Sequence, residues 1–145
     1  MIKEATVKDI NEVVKMALLL WHDHTYEEFK EEMTEVITDP KAKIYLCYVN
    51  NEPIGFAYCQ LRYDYVEGTS SSPVGYLEGL YVKEAFRNQG AGRKLVRACE
   101  NWAKEKGCRE FASDCELDNV TSLAVHKKLG FQEVNRIICF TKKLL

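Results

Sequence analysis

Tyr76-Leu77-Glu78-Gly79-Leu80-Tyr81-Val82, then Lys83-Glu84-Ala85-Phe86, then Arg87-Asn88-Gln89-Gly90-Ala91-Gly92, then Arg93-Lys94-Leu95-Val96: residues 76–96 pass from an apolar strand through a turn and a glycine-rich loop into a helix. The helix is predicted because Ala91, Leu95, Ala98, Cys99 and Trp102 recur at helical spacing. The first turn of any helix carries N–H groups without intrahelical partners, and the peptide dipoles add partial positive charge there. Gly90 and Gly92 have no Cβ, so an anion can approach the main chain, and Arg87 and Arg93 add charge beside it. The stretch therefore reads as a phosphate cradle. It is not a P-loop, because no Lys-Ser or Lys-Thr follows either glycine, and Gly90-Ala91-Gly92-Arg93-Lys94-Leu95 lacks the third glycine of a dinucleotide fingerprint.

Working outward, Met1 to Ala5 suits a first strand, and Thr6 with Asp9 resembles a capped helix start before Ile10, Val13, Val14, Ala17, Leu18 and Trp21. Thr25 with Glu28 forms a capping box for a second helix bearing Phe29, Met33, Val36 and Ile37, stopped by Asp39-Pro40. Ile44–Val49 and Ile54–Arg62 read as a hairpin around the turn Asn50-Asn51-Glu52-Pro53. Asp64 to Pro73 is a loop of about ten residues, long enough to suggest function. Beyond the central helix come a strand at Glu110–Ser113, a helix from Asp118 to Leu129 closed by Gly130, and a last strand within Phe131–Phe140. The order βααβββαβαβ predicts an α/β fold with mixed strand directions.

At 145 residues, 46% hydrophobic and 29% charged, the chain is expected to be a single domain spanning 1–145. A formal charge of −2 gives no support to nucleic-acid binding. No apolar run approaches the roughly 20 residues of a membrane helix, and the start is unlike a signal peptide, so a cytoplasmic location is expected. The six cysteines contain no C-x-x-C pair and fall mostly in apolar patterns, which suits reduced, buried thiols. Cys115 stands apart, beside Asp114.

Arg87-Asn88-Gln89-Gly90-Ala91-Gly92 resembles the R/Q-x-x-G-x-G/A motif with which GNAT acetyltransferases bind the pyrophosphate of acetyl-CoA. A second segment, Asp118-Asn119-Val120-Thr121-Ser122 through His126 to Leu129-Gly130-Phe131, resembles their later N-x-x-[SA]-x-x-x-[YH]-x-x-x-G-F pattern. Further blocks narrow the resemblance to the aminoglycoside 6′-N-acetyltransferases: Leu20-Trp21-His22-Asp23-His24, Arg62-Tyr63-Asp64-Tyr65-Val66-Glu67-Gly68, Ser71-Ser72-Pro73, the Tyr76–Val82 strand, and Gly107-Cys108-Arg109-Glu110-Phe111-Ala112-Ser113-Asp114. The resemblance implies a GNAT fold, with a mixed but mostly antiparallel central sheet flanked by about four helices. It implies direct transfer of acetyl from acetyl-CoA to the 6′-amine of an aminoglycoside in a ternary complex, hence antibiotic resistance. Acetyl-CoA as cosubstrate, no metal, and a homodimer are part of the same expectation.

The residues themselves favour a cationic substrate. Glu78 interrupts an apolar strand and by twofold alternation shares a face with Tyr76, Leu80 and Val82. Burying a carboxylate there is costly without a partner, either a core Arg or a ligand. Asp114 ends the adjacent strand candidate, and Asp64 and Glu67 lie in the long loop, where charged residues are usually just solvated. Trp21 and Tyr65 suit stacking on a sugar ring or a place in the core. His22 and His24 show H-x-H spacing without a third ligand, so a solvated loop is the better reading.

Within the resemblance, Glu78 is the general base acting through water, and main-chain N–H near Leu80 holds the oxyanion. His126 stands where many members carry a Tyr that protonates the departing thiolate. Trp21, Tyr65, Glu78, Asp114 and Asn135 are the substrate residues, Asn135 replacing an acidic contact. Leu80, Tyr81, Val82, Asn88, Gln89, Gly90, Ala91, Gly92, Arg93 and Asn119 are the cofactor residues. Alternatives are acetylation of another polyamine, an amino acid or a protein amine, a non-catalytic CoA sensor, or an interaction module that merely retains the fold.

Overall fold

The computed structural model describes residues 1–145. Its elements run β1 (Ile2–Glu4), α1 (Ile10–Leu20), α2 (Tyr26–Thr38), β2 (Ala42–Val49), β3 (Glu52–Arg62), β4 (Val74–Val82), α3 (Ala91–Glu105), β5 (Phe111–Ala112) and α4 (Val120–Lys128), with single 3-10 turns at Val7–Asp9 and Glu84–Phe86. The helix starts follow the capping chemistry. The Thr25 hydroxyl accepts the Glu28 N–H at 3.2 Å while Glu28 accepts the Thr25 N–H at 3.1 Å. Before α1, the Asp9 carboxylate accepts the Thr6 N–H at 2.8 Å and pairs with Lys3 at 3.1 Å.

The strands form one sheet in the order β1-β2-β3-β4-β5, with β4 and β5 parallel and the other three pairs antiparallel. The hairpin turn is tighter than the predicted four residues. Asn50 and Asn51 both take left-handed φ, of 49° and 65°, so Val49 pairs directly with Glu52. Pro53 is consequently in the strand, next to the register shift at Cys47 and Tyr48.

The sheet has an apolar cluster on each face. Val13, Val14, Met16 and Ala17 of α1 and Phe29 and Met33 of α2 pack with Ile44, Leu46 and Phe56 on one side. Leu95, Val96, Cys99, Trp102 and Ala103 of α3 pack with Ile54, Ala57, Cys59 and Leu77 on the other. Four of the six cysteines, Cys47, Cys59, Cys99 and Cys108, are buried free thiols, and Cys115 and Cys139 are exposed.

Two expectations need correction. The first is the strand parity of β4. Cys59 pairs with Leu77 and Tyr58 with Gly79, so Glu78 is the extra residue of a bulge. A one-residue insertion reverses alternation beyond it. Glu78 keeps the Tyr76 face, but Leu80 packs with the α3 cluster, as does Val82, while Tyr81 packs with the α1–α2 cluster. The second correction is that Phe131–Phe140 forms no strand. A strand needs a neighbouring edge, and β5 pairs over only two residues. Ile138 and Phe140 remain 80% and 91% exposed.

Candidate active site

The bulge places Glu78 in a cleft of about 280 Å³ lined by Trp21, His24, Phe29, Glu32, Met33, Tyr58 and Glu78. Each wall has a local cause. Trp21 follows the last residue of α1 and lies against Gly79, where an added Cβ would stand 2.5 Å from its ring. Its ring also meets Phe29 and Phe56, with centroids 5.8 and 6.2 Å away, so it is both a core aromatic and a cleft wall. The His24 ring packs on Phe29 at 4.5 Å. Glu32 reaches the cleft from α2, between the buried positions Phe29 and Met33.

The Glu78 side chain is only 16% exposed and is paired within the protein. Arg62 donates to both its oxygens, Nε to Oε2 at 3.0 Å and Nη2 to Oε1 at 2.8 Å, and Gln60 donates to Oε2 as well. The core-Arg alternative is therefore realised, without closing the site, since Glu78 still lines the cleft. A carboxylate has about four acceptor positions. Three are used, leaving one for a ligand or water.

Asp114 joins this group at one remove. The Tyr76 hydroxyl donates to Asp114, and the Arg62 guanidinium lies 3.4 Å above the Tyr76 ring centroid. Burial and then the Asp114 contact push the Tyr76 phenol up. The Tyr58 phenol is pushed up to about 12, by burial first and then by the Glu78 and Glu32 carboxylates. Burial works against the Arg62 cation, yet its Glu78 partner holds it above its already high ordinary value.

Tyr65 and Asn135 form a separate group. Tyr65 is 80% exposed and its hydroxyl donates to Glu67, which also accepts the Asn135 amide at 2.9 Å. The Tyr65 contact, then the Asn135 contact, lowers the Glu67 carboxyl. Tyr65 is thus no core aromatic, and no direct hydrogen bond joins this cluster to Glu78.

On the other side of β4 lies the glycine loop. Asn88 and Gly90 take left-handed φ of 64° and 89°, which turn the chain into α3. The helix ladder begins with the Lys94 N–H on the Gly90 carbonyl, so the N–H groups of Ala91, Gly92 and Arg93 precede it. A Cβ added at Gly90 would meet nothing within 4 Å, and one at Gly92 would only touch Leu80 at 3.8 Å. This open, amide-rich rim fits a pyrophosphate. Arg87 is held by the Val82 carbonyl and Gln89 lies against the Ala85 carbonyl, while Arg93 reaches the Lys128 carbonyl at 3.0 Å.

Asn119 caps α4, its Oδ1 accepting the Ser122 N–H at 3.0 Å, which leaves its amide N–H groups for a ligand. His126 has both ring nitrogens engaged: Nδ1 meets the Ser122 carbonyl at 2.7 Å and Nε2 meets Ser113 Oγ at 2.8 Å. No group of three or more His, Cys, Asp or Glu side chains is placed to hold a metal.

Sequence reasoning did not single out Glu32, Tyr58, Gln60 or Arg62 for the cleft. Tyr58, Gln60 and Arg62 alternate along β3, so their shared face was available as a signal. Glu32 gave none, being one of many acidic residues on α2.

The family model for acetyltransferases (GNAT) matches residues 11–131. The chain belongs to the acetyltransferase (GNAT) family. Among its GNAT relatives, an aminoglycoside N(6′)-acetyltransferase type 1 of Stenotrophomonas maltophilia is 40% identical over 99% of this chain and 93% of the relative. One of Acinetobacter haemolyticus is 39% identical over 99% and 98%. The solved structure of an apo aminoglycoside 6′-N-acetyltransferase from Acinetobacter haemolyticus superposes with a TM-score of 0.95 at 38% identity, covering 99% of each chain. That of AAC(6′)-Iy, in complex with the bisubstrate analogue CoA-S-monomethyl-acetylneamine, gives 0.95 at 33% identity over 99% of this chain and 97% of that one. The GNAT fold and an acetyl-CoA-dependent N-acetyltransferase activity follow from this membership.

Proposed function

We propose that this protein transfers acetyl from acetyl-CoA to the 6′-amine of aminoglycoside antibiotics and so confers resistance to them. The observation that carries the reading is the β4 bulge. It turns the Glu78 carboxylate into a cleft walled by Trp21 and Glu32, while Leu80, two residues on, faces the helix whose first turn forms the phosphate rim. An apolar ring wall with two carboxylates suits an amino sugar. The relatives' names and the bisubstrate complex point to the same substrate.

Acetyl-CoA supplies the thioester, whose carbonyl carbon is attacked and whose thiolate leaves. Its pyrophosphate is assigned to Asn88, Gln89, Gly90, Ala91, Gly92 and Arg93, its acyl arm to Leu80, Tyr81 and Val82, and its pantetheine amides to Asn119. Glu78 uses its one remaining acceptor position to take a proton, through water, from the substrate ammonium. The freed nitrogen forms the C–N bond as the C–S bond breaks. Main-chain N–H at Leu80, just past the bulge, is assigned to the developing oxyanion. The second proton, lost from the nitrogen as the amide forms, reaches the departing sulfur by way of His126 and Ser113, which its Nε2 faces. Trp21 and Asp114, with Tyr65 and Asn135 from the outer cluster, hold the sugar rings.

We further propose a single domain over 1–145, a cytoplasmic site of action and a homodimer. The exposed Ile137, Ile138 and Phe140 support the dimer, because an apolar strip of this kind is usually covered. A monomer by light scattering at micromolar concentration would reject it. The test of function is acetyl transfer to kanamycin-like aminoglycosides beside their 6′-hydroxy analogues. Turnover restricted to the 6′-amines is the expected result. Turnover only with other amines, or cofactor binding without turnover, would overturn the reading.

A further inference from the structure

We infer that Arg62 is a positioning residue for acyl transfer with two effects: its guanidinium fork holds Glu78 with one acceptor site free, and its charge favours the neutral, attacking form of the substrate amine. The inference rests on the proposed reading of the cleft as an amine site.

The charge inventory of the cleft poses a problem that Arg62 answers. Glu32 faces it from α2, Glu78 from β4, and Asp114 lies behind Tyr76 beyond β5. Tyr58 of β3 and His24 complete the titratable lining, and the Asp39 field reaches Tyr58 from the end of α2. Carboxylates bind an ammonium well, but each one also stabilises the protonated nitrogen, which has no lone pair to attack with. A site built from carboxylates alone would bind its substrate in the unreactive state. A fixed cation beside the base opposes this, in the way a neighbouring cation activates an amine nucleophile.

Arg62 has the geometry for that task. It makes a two-point contact with Glu78, and its guanidinium plane is seated on the Tyr76 ring, whose hydroxyl is tied to Asp114. Four side chains on β3, β4 and the segment after β5 thus form one continuous chain, in which the guanidinium holds the Glu78 end and Tyr76 carries the link on to Asp114. Guanidinium does not give up its proton near neutral pH, so Arg62 cannot act as the base itself. A lysine would keep the charge but lose the fork and the stacking.

The experiment compares wild type, Arg62→Gln and Arg62→Lys, measuring kcat and KM for kanamycin over pH about 6 to 9, with thermal unfolding and the KM for acetyl-CoA as controls. Arg62→Gln should lower kcat about tenfold near pH 7, the effect of one unit in the substrate amine's ionisation, with an unchanged or lower KM for kanamycin. The loss should shrink as pH rises and the amine deprotonates without help. Arg62→Lys should recover part of kcat and keep the wild-type pH profile. Unchanged kcat, a pH-independent loss, or a raised kanamycin KM with kcat retained in folded Arg62→Gln would each overturn the inference. If Arg62→Gln does not fold, Arg62→Lys carries the test: a changed pH profile or full wild-type kcat refutes it. A wild-type enzyme that acetylates no aminoglycoside refutes the functional reading instead, which keeps the two failures apart.

Discussion

Gly79→Ala tests whether the Trp21 wall stands where it does because residue 79 has no side chain. A Cβ there would lie 2.5 Å from Cη2 and 2.7 Å from Cζ2 of Trp21, and 3.4 Å from Leu20 Cδ2. Carbon atoms rest at roughly 3.5–4.0 Å, so the indole must retreat by about 1 Å. It cannot do so freely, being packed against Phe29 and Phe56. Overpacking of this kind costs about 1–3 kcal/mol, a fall in Tm of roughly 3–10 °C for a domain of this size. The larger effect should be on turnover, because a misplacement of about 1 Å in a positioning wall can cost up to about a hundredfold. Steady-state kinetics should show kcat/KM for an aminoglycoside reduced about tenfold to a hundredfold, with the KM for acetyl-CoA little changed. A folded Gly79→Ala with wild-type Tm and kcat/KM would refute the assignment of Trp21 as a rigid cleft wall.

Glu78→Gln should lower kcat/KM for the aminoglycoside by at least about tenfold, leave acetyl-CoA affinity nearly unchanged, and lose more as pH falls; wild-type turnover across the pH range would remove Glu78 as the base. Gly90→Val imposes a β-branched side chain on a φ of 89° and should weaken acetyl-CoA binding by isothermal titration while the sheet stays folded. Asp9→Asn should cost about 1 kcal/mol as a weakened helix-start contact. Burial alone would raise the Asp9 carboxyl, but the Thr6 and Lys3 contacts hold it below its ordinary 3.8. Its stabilisation is therefore present above that value and lost as pH falls through the lower folded value. Acid unfolding followed by circular dichroism should show a smaller pH dependence in the variant.

Much of the fold was legible because its signals are local. Thr25 with Glu28, Asp39-Pro40 and the glycine loop each act over a few residues, and the structure places helix boundaries close to them. The β4 face assignment failed because a bulge depends on pairing with β3, which alternation within one strand cannot reveal. The last strand failed for a related reason: Ile137-Ile138-Cys139-Phe140 has strand composition, but pairing requires an available edge. In the site, Glu78 and Trp21 were found through their unusual settings and meet in one cleft. Arg62 is separated from Glu78 by 16 positions, and only the β3–β4 register brings the two together. Glu32 was hidden by abundance, since an acidic residue on an acidic helix carries no mark of its own.

The bulge at Glu78 also separates what the strand needs to fold from what it needs to function. Removing that single residue would join Cys59–Leu77 and Tyr58–Gly79 into an unbroken ladder, leaving every other partner of β3 in place. The shortened chain would have a more regular sheet, Glu32 as the one carboxylate left in the cleft and nothing for Arg62 to grip. Deletion at this position is thus a route to a well-folded but inert protein, one that measures of solubility or expression would pass as sound.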